Sequence, residues 1–376
     1  MAKELSKDPS FFKTLAEIVD HLNNPLKRMH LDLAPSGDKA WVRHFNGQLR
    51  PLTAQALSAG AGEHGPSKKA IGAVHALLTR CPHIINVDRF HNGGSFGRRT
   101  MTGQAGEALQ VEMMRELAKW LRATGWAALE VEYGTHYKNC INMTVDGVDV
   151  DIKLAANLAS GSQANDRGKV QRNALMKQVL GGGGGGGVAA RQQQAEPVRE
   201  AALSEALTAV VKGTSDRIKS VARLVKCWYK YSLKEQIPHV PSVLLEVLTL
   251  AAAQRAGLWD PAKINRTAEV VVFLAALDLL DAAVSRHEMV VLEAGPVWGY
   301  TRKQALACRH VWEADAVVVL HPIDPTCNLA RAQPGREVDW PEVARRAREL
   351  RRVVTKGSMW ELLNSSSLQP AIQALR

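Results

Sequence analysis

Asp149 and Asp151 stand one residue apart in the alternating run Val148-Asp149-Val150-Asp151-Ile152. In a strand, residues two apart share a face, so this spacing sets two carboxylates side by side. Paired carboxylates suit a hard divalent cation such as Mg²⁺, and a held Mg²⁺ suits phosphoryl transfer. The same pattern also describes an exposed strand face with solvated aspartates. A second group is the turn Gly93-Gly94-Ser95-Phe96-Gly97, followed by Arg98 and Arg99. Glycines let backbone N–H groups approach a triphosphate closely and the serine hydroxyl adds a donor, although glycines serve equally in an ordinary loop. Third, Lys219, Arg223, Lys226 and Lys230 recur at spacings of four, three and four. On a helix that spacing draws one basic row. It is read either as the solvated face opposite Ile218, Val221, Ala222, Leu224 and Val225, or as a row that tracks the phosphates of a nucleic acid.

The elements that must position these residues can be read from periodicity. Pro66 opens a helix carrying Ala70, Ile71, Val74, Leu77 and Leu78, and Ile84 to Val87 reads as a short strand entering the glycine turn. A helix over Ala105 to Thr124 has Leu109, Met113, Leu117 and Leu121 four apart, with Gly125 as its stop. Strands follow at Leu129 to Tyr133, Ile141 to Val145 and Val148 to Ile152. Asp146-Gly147 joins the last two, because a type I′ hairpin turn needs positive φ that this pair tolerates. Seven consecutive glycines at 181–187, within a stretch rich in Ala, Ser, Asn and Gln, predict a flexible surface insertion over 161–197. Helices are expected over Ser215 to Tyr231, Ser242 to Ala256 and Ala268 to Val284, a strand at Ala316 to Leu320, and a basic helix from Pro341 to Val353. A further helix is read at Ser10 to Asn24.

The chain has 376 residues with a formal charge of +11, enough length for two cores and enough basic excess to favour a polyanionic partner. With 46% hydrophobic and 23% charged residues it reads as folded rather than disordered. No apolar run approaches a membrane span, so no membrane partner is expected. The amino terminus lacks the pattern of a secretory signal, and a cytoplasmic, or also nuclear, location is expected. Cys81, Cys140, Cys227, Cys308 and Cys327 form no CxxC pair, which speaks against a zinc module or a disulfide framework.

Four motifs in register carry a family resemblance: Gly-Gly-Ser-Phe-Gly-Arg-Arg-Thr at 93–100, Arg-Leu-Val-Lys-Cys-Trp-Tyr at 223–229, Leu-Leu-Glu-Val-Leu-Thr at 244–249 and Pro-Ile-Asp-Pro-Thr-Cys-Asn at 322–328. Over about residues 66–355 the chain resembles the 2′,5′-oligoadenylate synthetases, relatives of the cyclic GMP-AMP synthase-like receptors. The resemblance implies an α+β, two-lobed nucleotidyltransferase fold with a helical C-terminal lobe and the active site between the lobes. The corresponding division is a poorly defined segment at 1–65, a nucleotidyltransferase lobe at 66–160, the insertion at 161–197, the helical lobe at 198–355 and a tail at 356–376. It also implies double-stranded-RNA-activated polymerisation of ATP into 2′-5′-linked oligoadenylate, an innate antiviral activity, with two Mg²⁺ ions held by three carboxylates. By resemblance, Gly94 and Ser95 cradle the donor triphosphate, Lys226 contacts its phosphates, Ser242 stands at a nucleotide-contacting position and Asp151 is the third metal carboxylate. Arg217, with neighbours such as Lys219 and Arg223, would lie on the RNA face.

The departures bear on activity. Counting twelve positions from Ser95, where the family has the first carboxylate of an Asp-x-Asp pair, reaches Glu107, and the partner position holds Leu109. Leucine cannot ligate a cation. The helical periodicity here favours loss of the metal-binding strand, making Glu107 a helix-face residue and leaving Asp149 as the nearby substitute ligand. Ser242 and Val243 stand where the family has a Gln-Tyr pair, and His321 where an aspartate is usual. Three functions therefore stand open: the synthetase, a catalytically impaired RNA-binding relative, and a cyclic dinucleotide synthase.

Overall fold

The computed structural model of the chain describes residues 69–78, 104–126, 129–133, 140–152, 166–181, 203–264, 268–295, 299–332 and 335–356. The expected elements at Ser10 to Asn24 and Ile84 to Val87, and the glycine turn with Gly94 and Ser95, lie outside these residues. At a coarse level the fold is α+β, a set of helices with one small antiparallel sheet. Among the described residues no helix is long and apolar enough to cross a membrane.

The first half contains helix α1 over 69–78, helix α2 (Gln104–Ala123) and strands β1 (Leu129–Tyr133), β2 (Ile141–Val145) and β3 (Val148–Ile152) in the order β1-β2-β3. Ala70, Val74 and Leu78 of α1 pack with Met114, Leu117, Ala118 and Leu121 of α2 over Ile141, Met143, Val145 and Ile152 of the sheet. Among the described side chains of α2 the buried stripe runs through Met114, Leu117, Ala118 and Leu121, and the expected Met113 is only partly buried. A strict four-residue spacing drifts around a 3.6-residue helix, so the face that meets the sheet follows 114, 117, 118 and 121 instead. The β2–β3 hairpin turns through Asp146 and Gly147 with φ of 50° and 75°, the left-handed pair that the turn requires.

Inside the expected insertion runs a 16-residue helix, α3 (Asp166–Gly181), which corrects the reading of 161–197 as wholly flexible. Residues 166–180 are dominated by Lys, Gln, Arg, Ala, Leu and Met, good helix formers, with Asp166 favouring the first turn. The weight given to the glycine run concealed them; only Gly181 of that run is described, as the last residue of α3.

The second half is built from α4 (Ser204–Lys212), α5 (Asp216–Trp228), α6 (Ser242–Arg255), α7 (Ala268–Ser285), α8 (Arg302–Ala307) and α9 (Trp340–Lys356). Helix α5 begins at Ser215, whose hydroxyl accepts from the Arg217 N–H, and ends in a π turn, Tyr229–Leu233. The Tyr229 hydroxyl donates to the Ile237 carbonyl at 2.9 Å and accepts from the Val240 N–H at 3.1 Å, fastening the loop that leads into α6. Helices α5, α6, α7 and α9 share one apolar core, in which Leu244, Leu248, Val272, Leu277, Ala347 and Leu350 are almost fully enclosed.

The strand expected at Ala316 to Leu320 is reduced to two isolated bridges, Val290 with Val319 and Leu320 with Asn328. The Asn328 amide takes the place of a neighbouring strand. Its Oδ1 accepts from the Val319 N–H at 2.9 Å and its Nδ2 donates to the Val317 carbonyl at 2.8 Å.

Helix α9 is tied to α7 by Arg348 with Asp281 and by Arg351 with Asp278. In its first turn the Glu342 carboxyl is held down at about 2 from an ordinary 4.5, chiefly by a hydrogen bond from Arg345, against the opposing effect of burial, with a hydrogen bond from Arg346 assisting. Its folded value lies below its unfolded one, so the stabilisation is complete above about pH 4.5 and is lost as pH falls toward 2. Unfolding midpoints measured from pH 6 to pH 2 should fall less steeply for Glu342→Gln than for the parent chain. Identical pH profiles would show that this cluster does not contribute.

Candidate functional site

The sheet presents its two faces as the alternation dictates. Val148 and Val150 pack toward the α1–α2 core, while Asp149 and Asp151 are exposed on the other face. The register places Asp149 opposite Thr144 and Asp151 opposite Asn142, and beyond these stand Glu130 and Glu132 of β1. Thr144 Oγ1 donates to Asp149 Oδ1 at 3.2 Å, and Asn142 Nδ2 donates to Asp151 Oδ1 at 2.8 Å. The exposed Glu132 adds to the acidic character of the sheet beyond β3. Alternation in Leu-Glu-Val-Glu-Tyr was the available signal for Glu132.

Glu107 and Leu109 both belong to helix α2. The chain here runs as a helix and not as the strand that an Asp-x-Asp pair needs. Among the described residues no three His, Cys, Asp or Glu side chains come together as a metal site. The donors for two Mg²⁺ ions are thus not assembled by the described part of the chain.

The basic residues of α5 are not a free, solvated row. Arg217 makes a two-pronged ion pair with Glu269, whose side chain is only 3% exposed, at the start of α7. Lys219 pairs with Asp216 at 2.9 Å and donates to the Lys212 carbonyl at 3.2 Å, at the end of α4. Lys226 Nζ stands 3.2 Å from Glu246 Oε2 on α6, both side chains being more than three-quarters buried. Arg223 differs. Its Nη1 is buried and has no hydrogen-bond partner. A guanidinium N–H shut away from water without an acceptor is costly, and an anion from outside would relieve it. Cys227, beside Lys226, is not an activated thiol, since burial pushes its pKa up against the opposing pull of Lys230 and Lys226.

Ser242 is the first residue of α6 and partly buried, while Val243 belongs to the core and is 7% exposed. An apolar side chain at 243 is accommodated inward, where no base can stack on it. The Pro-Ile-Asp-Pro-Thr-Cys-Asn segment is a buried turn. His321 Nδ1 accepts from the N–H groups of Ile323 and Asp324 at 3.2 and 3.3 Å, and the Asp324 carboxylate accepts from the Thr326 N–H and hydroxyl at 2.9 and 2.6 Å. The Tyr300 hydroxyl donates to the His321 carbonyl at 2.7 Å. Next to it, a Cβ on Gly299 would lie 2.7 Å from the Pro322 carbonyl oxygen, so only glycine fits. His321 therefore organises this turn.

Glu246 and Glu269 were missed by sequence reasoning. Each is an acid near or within an apolar helical run, and that isolation was the only signal available. No protein-family model matches the chain, and no curated protein shows significant similarity to it.

Proposed function

We propose that the chain is a nucleotidyltransferase-fold protein of the oligoadenylate-synthetase type that binds nucleotide phosphates at Arg223 and Lys226 and double-stranded RNA through its basic surface, with nucleotidyl transfer impaired. The observation that carries this reading is the buried Arg223 Nη1 without a partner, one helical turn from the mostly buried Lys226. A phosphate is the common anion with enough oxygens to serve both groups. The four motifs in register supply the family side of the argument. Impaired transfer is favoured by Leu109 and by the helical course of α2 through positions 107 and 109.

ATP binding, measured by calorimetry in EDTA so that metal plays no part, tests the site. Arg223→Gln and Lys226→Gln should each weaken it by at least about tenfold, the loss expected for one charge-assisted hydrogen bond. Glutamine at 226 still offers Glu246 a donor, so the fold is retained. Unchanged affinity in both variants would sink the phosphate site. Duplex RNA should bind with a steep fall between low and moderate salt, since counterion release dominates phosphate contacts, and salt-insensitive binding would sink the RNA reading.

A further inference from the structure

Glu246 is the single acidic residue of α6, a helix otherwise built from Ser, Val, Leu, Thr, Ala, Gln and a terminal Arg. Its neighbours Leu244, Leu245, Val247 and Leu248 are buried in the core. From this apolar helix its carboxylate meets Lys226 of α5 at 3.2 Å, with 23% and 22% of the two side chains exposed. An enclosed ion pair contributes little net stability compared with apolar residues of the same size, so stability alone gives a poor account of it. One turn before Lys226, Arg223 keeps a buried Nη1 that Glu246 does not satisfy. The trio thus combines two cations, one anion and one unmet donor.

Resting on the phosphate-binding reading above, we propose that Glu246 is an internal counter-anion that occupies Lys226 and lowers the affinity of the site for polyphosphates. A phosphate group that reaches Arg223 and Lys226 comes close to the Glu246 carboxylate. The two anions repel, and Lys226 must be shared or taken over. Glu246 therefore sets a threshold: the occupant must bring enough negative charge and enough oxygens to outcompete it. The ligand class that fits is a nucleoside triphosphate or another polyphosphate, and a neutral nucleoside does not meet the threshold.

Glu246→Gln keeps the shape and a hydrogen-bonding group while removing the charge. At a separation of several ångströms and an effective dielectric near 20, it should tighten ATP binding by at least about tenfold, since solvent screening leaves only part of the full Coulomb repulsion. The gain should be larger for ATP than for AMP and absent for adenosine, a dependence on ligand charge that a purely structural role would not produce. Adding Lys226→Gln to Glu246→Gln should cancel most of the gain. The measurements are titrations with ATP, AMP and adenosine in EDTA at one ionic strength, with thermal unfolding recorded alongside. If Glu246→Gln does not fold, Glu246→Asp carries the test, because its shorter carboxylate loses reach to Lys226, and a smaller gain for ATP is expected. If the parent chain binds ATP and neither variant binds it more tightly, the counter-anion role is overturned while the phosphate site stands. If neither parent nor variant binds ATP, the phosphate site is overturned and the counter-anion role with it.

Discussion

Arg217→Met should destabilise the folded chain by about 3–5 kcal/mol, the loss typical of leaving one partner of an enclosed ion pair without the other. Glu269 is 2% exposed as a residue and receives both guanidinium prongs of Arg217, so removing the arginine takes away the cation that balances an enclosed carboxylate. The double replacement Arg217→Met with Glu269→Leu should recover most of the loss, because two apolar groups of similar size need no compensation. Chemical unfolding of the parent, both single variants and the double variant closes this cycle. Loss below about 1 kcal/mol for Arg217→Met would show that water reaches Glu269. The result also governs how RNA binding is tested. A charge reversal at Arg217 would unfold the helix junction and mimic a binding defect, whereas Lys219→Ala removes a cation whose partners, Asp216 and the Lys212 carbonyl, lie at the surface.

Duplex RNA, ATP and Mg²⁺ should elicit little or no pyrophosphate release from this chain. Inserting an Asp-x-Asp strand after Gly103 should raise release by on the order of 10²–10³-fold, the range lost when one electrostatic contact to developing charge is removed. Each divalent ion needs anionic oxygens to offset its dehydration, and Asp149 and Asp151 on β3 cannot hold two ions by themselves. If the parent chain does release pyrophosphate, Asp149 is the candidate substitute ligand, and Asp149→Ala should abolish that activity. RNA-dependent release from the parent at a rate comparable with the repaired variant would overturn the impaired-transfer reading. ATP affinity is a separate measurement, since Arg223 and Lys226 are expected to act without metal.

Local patterns were legible because their causes are local. The type I′ turn at Asp146-Gly147 follows from which residues tolerate positive φ, and the exposed pair Asp149 and Asp151 follows from the two-residue repeat of a strand. The course of α2 through Glu107 and Leu109, on which the question of turnover depends, was likewise visible as periodicity. Helix α3 was overlooked because seven glycines dominated the composition of its neighbourhood, although its own residues favour a helix. The expected strand at 316–320 misled because an apolar run does not say what its backbone will pair with, and here single bridges to Val290 and Asn328 and the Asn328 side chain share that role.

By itself the sequence determined the helices and hairpin, the row of cations along α5 and the motifs on which the family resemblance rests, all of which depend on residues a few positions apart. Only the tertiary structure decided what that row can do. Glu269 lies 52 residues from Arg217 and Glu246 lies 20 from Lys226, and no periodicity along α5 encodes an acid arriving from another helix. Helix packing brought those carboxylates to Arg217 and Lys226, enclosed them so that the pairs persist, and left the Arg223 Nη1 buried without an acceptor.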